Sequence, residues 1–228
     1  RLNPEVQARP ELADEVIYKL RAILISVNQI GLVKANENFH EWLMAEKSLP
    51  FGKNGDHTTI KLIDFDTPEN NHFVVSQQVH FIAATEVFFD IVLYVNGIPL
   101  VVGEVKSATR PSVTWQDGAV DFMGGQKHYW KNVEPFFVPN LLCFASEGRT
   151  FAYGAINARV KDWGPWHKTD QRDEIPTSLA TVLDSCEGLL NPETLLQMLE
   201  SFALFSTVKT GKDTPPKRIK ILPRYPQF

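Results

Sequence analysis

The sequence predicts an α/β/α sandwich with a central mixed sheet. Three observations carry that prediction: helical periodicity opens the chain, strand-like segments dominate residues 58–107, and one helical stretch separates these from two further strand-like segments. A regular parallel βαβ repeat would instead alternate strand and helix throughout.

The first helix is read from PELADEVIYKLRAILISV, which begins at Pro10 and places Leu12, Val16, Ile17, Leu20, Ile23 and Leu24 at helical spacing. A second is expected in NENFHEWLMAEKSL, residues 36–49, stopped by Pro50 and the turn-rich PFGKNGD. TTIKLIDF, HFVVSQQVHFIAAT, VFFDIVLYVN and PLVVGEVKS then read as successive strands rich in Val, Ile, Phe and Thr. Asn96 and Gly97 between the last two form a hairpin turn, because glycine and asparagine accept positive φ. TWQDGAVDFMGGQKHYWKNV is expected to be one helix despite Gly118, Gly124 and Gly125, each of which weakens it relative to alanine. NLLCFASEG and RTFAYGAIN return to strand character. NPETLLQMLESFALF reads as a helix with an apolar stripe at Leu195, Leu199 and Phe202, followed by a basic extended tail, KTGKDTPPKRIKILPRYPQF.

The 228 residues, 43% of them hydrophobic and 22% charged, suffice for one substantial core. Charge, proline or glycine interrupts every apolar run well short of the ~20 residues that a membrane span needs, so a soluble protein with no membrane partner is expected. RLNPEVQARPELADEV has neither a basic nor an apolar leader region, and Cys143 and Cys186 sit in no paired spacing; a reducing, cytoplasmic setting follows. The formal net charge of −4 argues against a protein that coats nucleic acid, though not against a nuclease whose site is built from carboxylates.

The window FFDIVLYVNGIPLVVGEVKSAT carries the chemistry. Asp90 heads one strand, and Glu104 and Lys106 end the next, projecting from one face about 6.5 Å apart at ~3.3 Å per residue. A hairpin brings the two carboxylates together with the lysine alongside. Hard oxygen ligands of this kind suit Mg²⁺. The metal would polarise a scissile phosphate and activate a water, while an ammonium offsets developing charge. Asp90 and Glu104 are the candidate metal ligands, with the Val105 carbonyl as a further one. Glu-X-Lys also arises by chance, and Asp and Lys often end strands, so the longer phrase must decide.

That phrase is LIDFDTPENNHFVVSQQVHF, then DIVLYVNGIPLVVGEVKSAT, then a helix ending QKHYW, then NLLCFASEGRTFAYG. Over residues 30–165 it resembles the amino-terminal nuclease domain of the restriction (motor) subunits of type I restriction-modification enzymes, members of the PD-(D/E)XK superfamily. The closing RYPQF resembles the lead into their helicase motor. The resemblance implies a restriction-endonuclease-like fold, Mg²⁺-dependent cleavage of double-stranded DNA, and assembly with methyltransferase (M) and specificity (S) subunits. It makes Asp90, Glu104 and Lys106 the catalytic residues, joined by Gln126 on the following helix. Two departures stand out. Phe89 precedes Asp90 where the family usually has proline, and Gln126 has Tyr129 three residues on and Trp130 four on, where the family tends to Gln-X-X-X-Tyr; either aromatic can share its helix face. Residues 1–175 are expected to form the nuclease domain. Residues 176–228 would be a helical segment and linker leading to a motor that lies outside this chain.

Other candidates have plainer readings. Glu37 and Glu41 could add a carboxylate to the metal site but more often face solvent, and His72 and His80 read as ordinary strand residues. Arg110, Lys127 and Lys131 could contact phosphates, against the commoner role of solvated charge. His40–Glu41 fails as a zinc helix because Met44 stands where the second histidine belongs. KTGKDT lacks the leading glycine and the hydroxyl residue of a phosphate-binding loop, so ATP would be used by the full-length subunit and not bound by this chain. The competing reading is a noncatalytic docking domain of nuclease fold joining motor to methyltransferase. Intact Asp90, Glu104 and Lys106 favour the nuclease.

Overall fold

The computed structural model describes residues 2–83, 85–125, 127–169, 171–209, 211 and 214–228. After a short helical turn at Pro4–Ala8, helix α1 (Leu12–Ile30) carries Asp14 and Glu15 in its first turn, where acidic groups favour the helix dipole. Gly31, at φ 78°, breaks it from α2 (Leu32–Leu43). The buried residues of α2 include Leu32, Ala35, Asn36, Phe39, Trp42 and Leu43, one inward helical face.

This second helix starts four residues before the expected 36–49 and stops at Leu43. The chain turns at Ala45 (φ 55°), and Ser48–Leu49 pairs antiparallel with Thr58–Thr59. The rest of TTIKLIDF is not strand. Asn71 Oδ1 accepts from the Asp64 N–H at 2.9 Å, Asn71 donates to Asp64 O at 2.7 Å, and Asn96 donates to Leu62 O at 2.9 Å. Side-chain amides therefore satisfy backbone groups that a neighbouring strand would otherwise have to pair.

The central sheet has the order β1 (Phe73–Ile82), β2 (Glu86–Val95), β3 (Ile98–Val105), β4 (Leu142–Ser146), β5 (Phe151–Gly154). It is mixed: β3 and β4 run parallel and the other neighbours antiparallel. Asn96 and Gly97 turn the β2–β3 hairpin with φ 52° and 81°. The parallel pair requires a crossover, which holds α3 (Trp115–Met123), α4 (Tyr129–Asn132) and α5 (Glu134–Phe137). The single helix expected over 114–133 is thus two. A Thr114–Asp117 capping box starts α3, and Gly124 (φ −170°, ψ −148°) with Gly125 (φ 63°) ends it in conformations no helix contains. Gln126 lies outside the described residues.

Helix α6 (Leu179–Leu189), capped where Ser178 Oγ accepts from the Thr181 N–H, lies within the 176–228 stretch expected to be a helical segment and linker, ahead of the helix expected over 191–205. The helix expected over 191–205 is shorter. Helix α7 (Pro192–Gln197) widens into one π turn over Met198–Phe202, and the chain then enters β6 (Leu204–Val208). The tail is not merely extended: β7 (Lys217–Ile221) pairs antiparallel with β6, supplying each strand with backbone partners. Arg218 is paired with Glu37 of α2, its Nε 3.1 Å from the carboxylate.

The larger of two hydrophobic clusters among the described residues runs from Val27 and Phe39 through Phe89, Val102 and Phe144 to Leu189, Leu195 and Leu199, so helices and sheet form an α/β sandwich; the smaller joins Val16, Trp42, Leu49, Phe51 and Ile60. Among the described residues no helix is long and apolar enough to cross a membrane. Cys143 and Cys186 are free thiols.

Candidate active site

The β2–β3 ladder ends at Ile91↔Gly103, so Asp90 and Glu104 face one another just where pairing stops. Asp90 has a hydrogen bond on each oxygen: Oδ2 accepts from the Val105 N–H at 2.8 Å, and Oδ1 accepts from Gln78 Nε2 at 3.0 Å. Glu104 is only 1% exposed. Its Oε2 accepts from the Tyr129 hydroxyl at 3.0 Å, which also lies 3.2 Å from Phe88 O, and its Oε1 accepts from Lys106 Nζ at 2.9 Å and from Lys127. Both lysines turn also to Asp121 on α3: Lys106 pairs with it closely, and Lys127 lies 3.6 Å away.

Local structure explains this convergence. Lys106 lies one residue beyond β3, where its N–H donates to Ser146 O at 2.8 Å and so extends the contact with β4. Gly103 is required because a Cβ there would collide with Cζ of the buried Phe144 ring on the adjacent strand. Gly118 lets α3 descend onto the same strands; a Cβ would lie 3.1 Å from Ala145 Cβ and 3.4 Å from Glu104 Cγ. Asp121 follows Gly118 by nearly one turn and shares its face.

Burial raises the pKa of Glu104 against the pull of Lys127 and Lys106, the nearby Asp90 charge adding to the rise. Burial also pulls the Lys106 ammonium down, but its bonds to Asp121 and Glu104 outweigh this and leave it above its ordinary value. Tyr129 is raised by burial and by the Glu104 charge, which keeps its hydroxyl a donor. Glu104 and Asp121 thus share the two lysine ammonium groups, while Asp90 is bound by the neutral donors Gln78 and the Val105 N–H.

Asp90, Glu104 and Lys106, singled out from the sequence, come together here. Val105 contributes its N–H to Asp90, and its side chain is 42% exposed. Of the two aromatics after position 126, Tyr129 reaches Glu104, whereas Trp130 packs near Phe122 and Trp163. Lys127 is a correction: read as solvated charge, it is bound to Glu104 because the break after α3 turns it back toward β3. Glu37 pairs with Lys34 and Arg218, and Glu41 with Lys47, which assigns both to the helix surface and its contact with β7 rather than to Glu104. His80 stacks on Phe88 at 4.6 Å and pairs with Glu86, an ordinary strand arrangement. The sequence reading missed two residues. Asp121 meets Lys106 only through the packing of α3 on β3, and the contact of Gln78 depends on an unusual backbone conformation.

Comparison with known proteins identifies relatives of the chain. The chain is similar to the Type I restriction enzyme HindI endonuclease subunit of Haemophilus influenzae, 28% identical over 238 residues that cover 100% of this chain and 21% of that protein. It is similar also to the Putative type I restriction enzyme MjaIXP endonuclease subunit of Methanocaldococcus jannaschii, 24% identical over 88% of this chain and 21% of that relative. The chain therefore spans about a fifth of the length of these two relatives. Residues 1–161, from α1 through the β5 edge of the sheet, match the family described as Type I restriction enzyme R protein N terminus, and the chain belongs to that family.

Proposed function

We propose that this chain is a Mg²⁺-dependent endonuclease domain of PD-(D/E)XK type, hydrolysing phosphodiester bonds of double-stranded DNA as part of a type I restriction subunit. The observation that carries the reading is the meeting of Asp90 and Glu104 at the open end of the β2–β3 ladder, with the Lys106 ammonium 2.9 Å from Glu104. Among the described residues no three His, Cys, Asp or Glu side chains converge into a cage. Two carboxylates are nonetheless the usual protein share of a Mg²⁺ site, with water and phosphate completing it.

Asp90 and Glu104, with the Val105 carbonyl, would hold the ion. Bound there, Mg²⁺ would supply Lewis acidity toward a phosphate and lower the pKa of a water. The chain's own residues prepare that chemistry. Tyr129 and the Val105 N–H fix the two carboxylates from opposite sides, and the Lys106 ammonium, kept charged by Asp121, is placed to orient a water and to balance charge developing on phosphorus. In the full-length subunit a motor would consume ATP and bring DNA to this site, while methyltransferase and specificity subunits choose the sequence to be recognised.

The test is plasmid cleavage by the full-length subunit assembled with its partners, with ATP hydrolysis followed in parallel. Asp90→Ala and Lys106→Ala should lose cleavage and keep ATPase activity. Normal cutting by both variants would overturn the nuclease assignment and leave the docking domain as the better reading.

A further inference from the structure

We infer that Gln78 is a positioning residue for the Asp90 carboxylate, a role that rests on the metal-site reading above. Among the described residues, Gln78 is the one non-glycine residue within a strand of the central sheet that has positive φ, at 49°. The β1–β2 register is the same on both sides of it: Gln77 pairs with Ile91 and Val79 with Phe89. Residue 78 thus stands opposite Asp90, at the position the ladder skips. The exposed residues of β1 also change phase there, from Val75 and Gln77 before it to Gln78, His80 and Ile82 after it.

An L-residue adopts this conformation only where its surroundings impose it. The outcome here is specific. The left-handed backbone gives up a ladder position on an edge strand and directs an amide nitrogen to Asp90 Oδ1 at 3.0 Å, while the Val105 N–H holds Oδ2 at 2.8 Å. One donor on each oxygen fixes the rotation of the carboxylate and leaves each oxygen a further lone pair for a cation. Strand cohesion does not need the contact, because regular pairs flank it on both sides. Hydrogen bonds that orient a metal-ligating carboxylate change metal affinity when removed, commonly by about tenfold or more.

The experiment compares wild type with Gln78→Gly and Gln78→Asn in the full-length assembled subunit. Both replacements tolerate positive φ, and neither delivers the amide to Asp90. Two quantities are read: the Mg²⁺ concentration for half-maximal plasmid cleavage, and Mn²⁺ binding in the absence of DNA, measured by calorimetry. Both variants should raise the half-saturating Mg²⁺ by about tenfold and weaken Mn²⁺ binding to a similar degree, with unchanged ATP hydrolysis and an unchanged urea midpoint. Unaltered metal dependence in both variants, with Asp90→Ala inactive, overturns the role of Gln78 alone. Normal cleavage by Asp90→Ala overturns the metal-site reading on which it rests.

Discussion

The Tyr129 hydroxyl donates to Glu104 Oε2 at 3.0 Å, while both lysines gather on Oε1. The carboxylate is therefore held from both sides, by a neutral donor and by charges. Tyr129→Phe keeps the ring among Phe89, Phe122 and Phe137 and removes only the donor. Stability should fall by about 1 kcal/mol, the worth of one buried hydrogen bond, while cleavage falls by about tenfold. Urea denaturation and plasmid cleavage measured side by side give the two numbers, and a stability loss with full cleavage would show the bond to be structural only.

The two lysines on Glu104 should behave oppositely. Lys106 is the less exposed, at 22% against 38% for Lys127, and its ammonium is held above its ordinary pKa. Lys106→Met should lower cleavage about 100-fold or more at saturating Mg²⁺. Lys127→Met removes a cation that competes for Glu104 and should reach half-maximal cleavage at lower Mg²⁺, by up to about fivefold, the scale of a partly exposed ion pair. Mg²⁺ titrations of both variants check this; a parallel loss in both would make Lys127 a second essential ammonium.

The two glycines beside the site separate folding from function. In Gly103→Ala the new methyl meets the Phe144 ring, and a destabilisation of about 3 kcal/mol is expected from overpacking between β3 and β4. Gly118→Ala makes milder contacts, at 3.1 Å and 3.4 Å, and gains helix propensity, so its stability should remain within about 1 kcal/mol of wild type while the push on Glu104 lowers cleavage. Thermal unfolding and cleavage assays distinguish the pair.

Lys220 gives a pH dependence away from the site. It is buried, bonded to Asn140 O at 2.7 Å, and burial pulls its pKa down to about 7 from 10.5. Between those values the unfolded chain binds more protons than the folded one, so this group makes stability rise with pH. Its penalty is fully present below about pH 7 and is relieved above it. Lys220→Met should stabilise the protein near neutral pH and flatten this rise; Asn36 still donates to Asn140 O at 2.8 Å, so the carbonyl is not orphaned. Urea midpoints from pH 6 to pH 10 test the prediction, and parallel profiles for the two proteins would refute it.

What the sequence by itself determined is local or repetitive. The hairpin at Asn96–Gly97 was legible because positive φ selects those residues, and the strands of the central sheet because β-branched and aromatic residues cluster in them. Glu104 and Lys106 were legible because charge at the end of a buried strand is conspicuous. Tertiary structure decided the rest. TTIKLIDF has strand composition but finds Asn71 and Asn96 as partners instead of a neighbouring strand, and α7 yields to β6 because β7, the next strand along the chain, is there to pair with it. Likewise, nothing local shows that Lys127 folds back onto Glu104, that Asp121 holds Lys106, or that Gln78 bends toward Asp90. Propensity and spacing act within a few residues. Ion pairs and backbone exceptions are fixed by groups brought together from different elements, and only the packed sheet and crossover supply those neighbours.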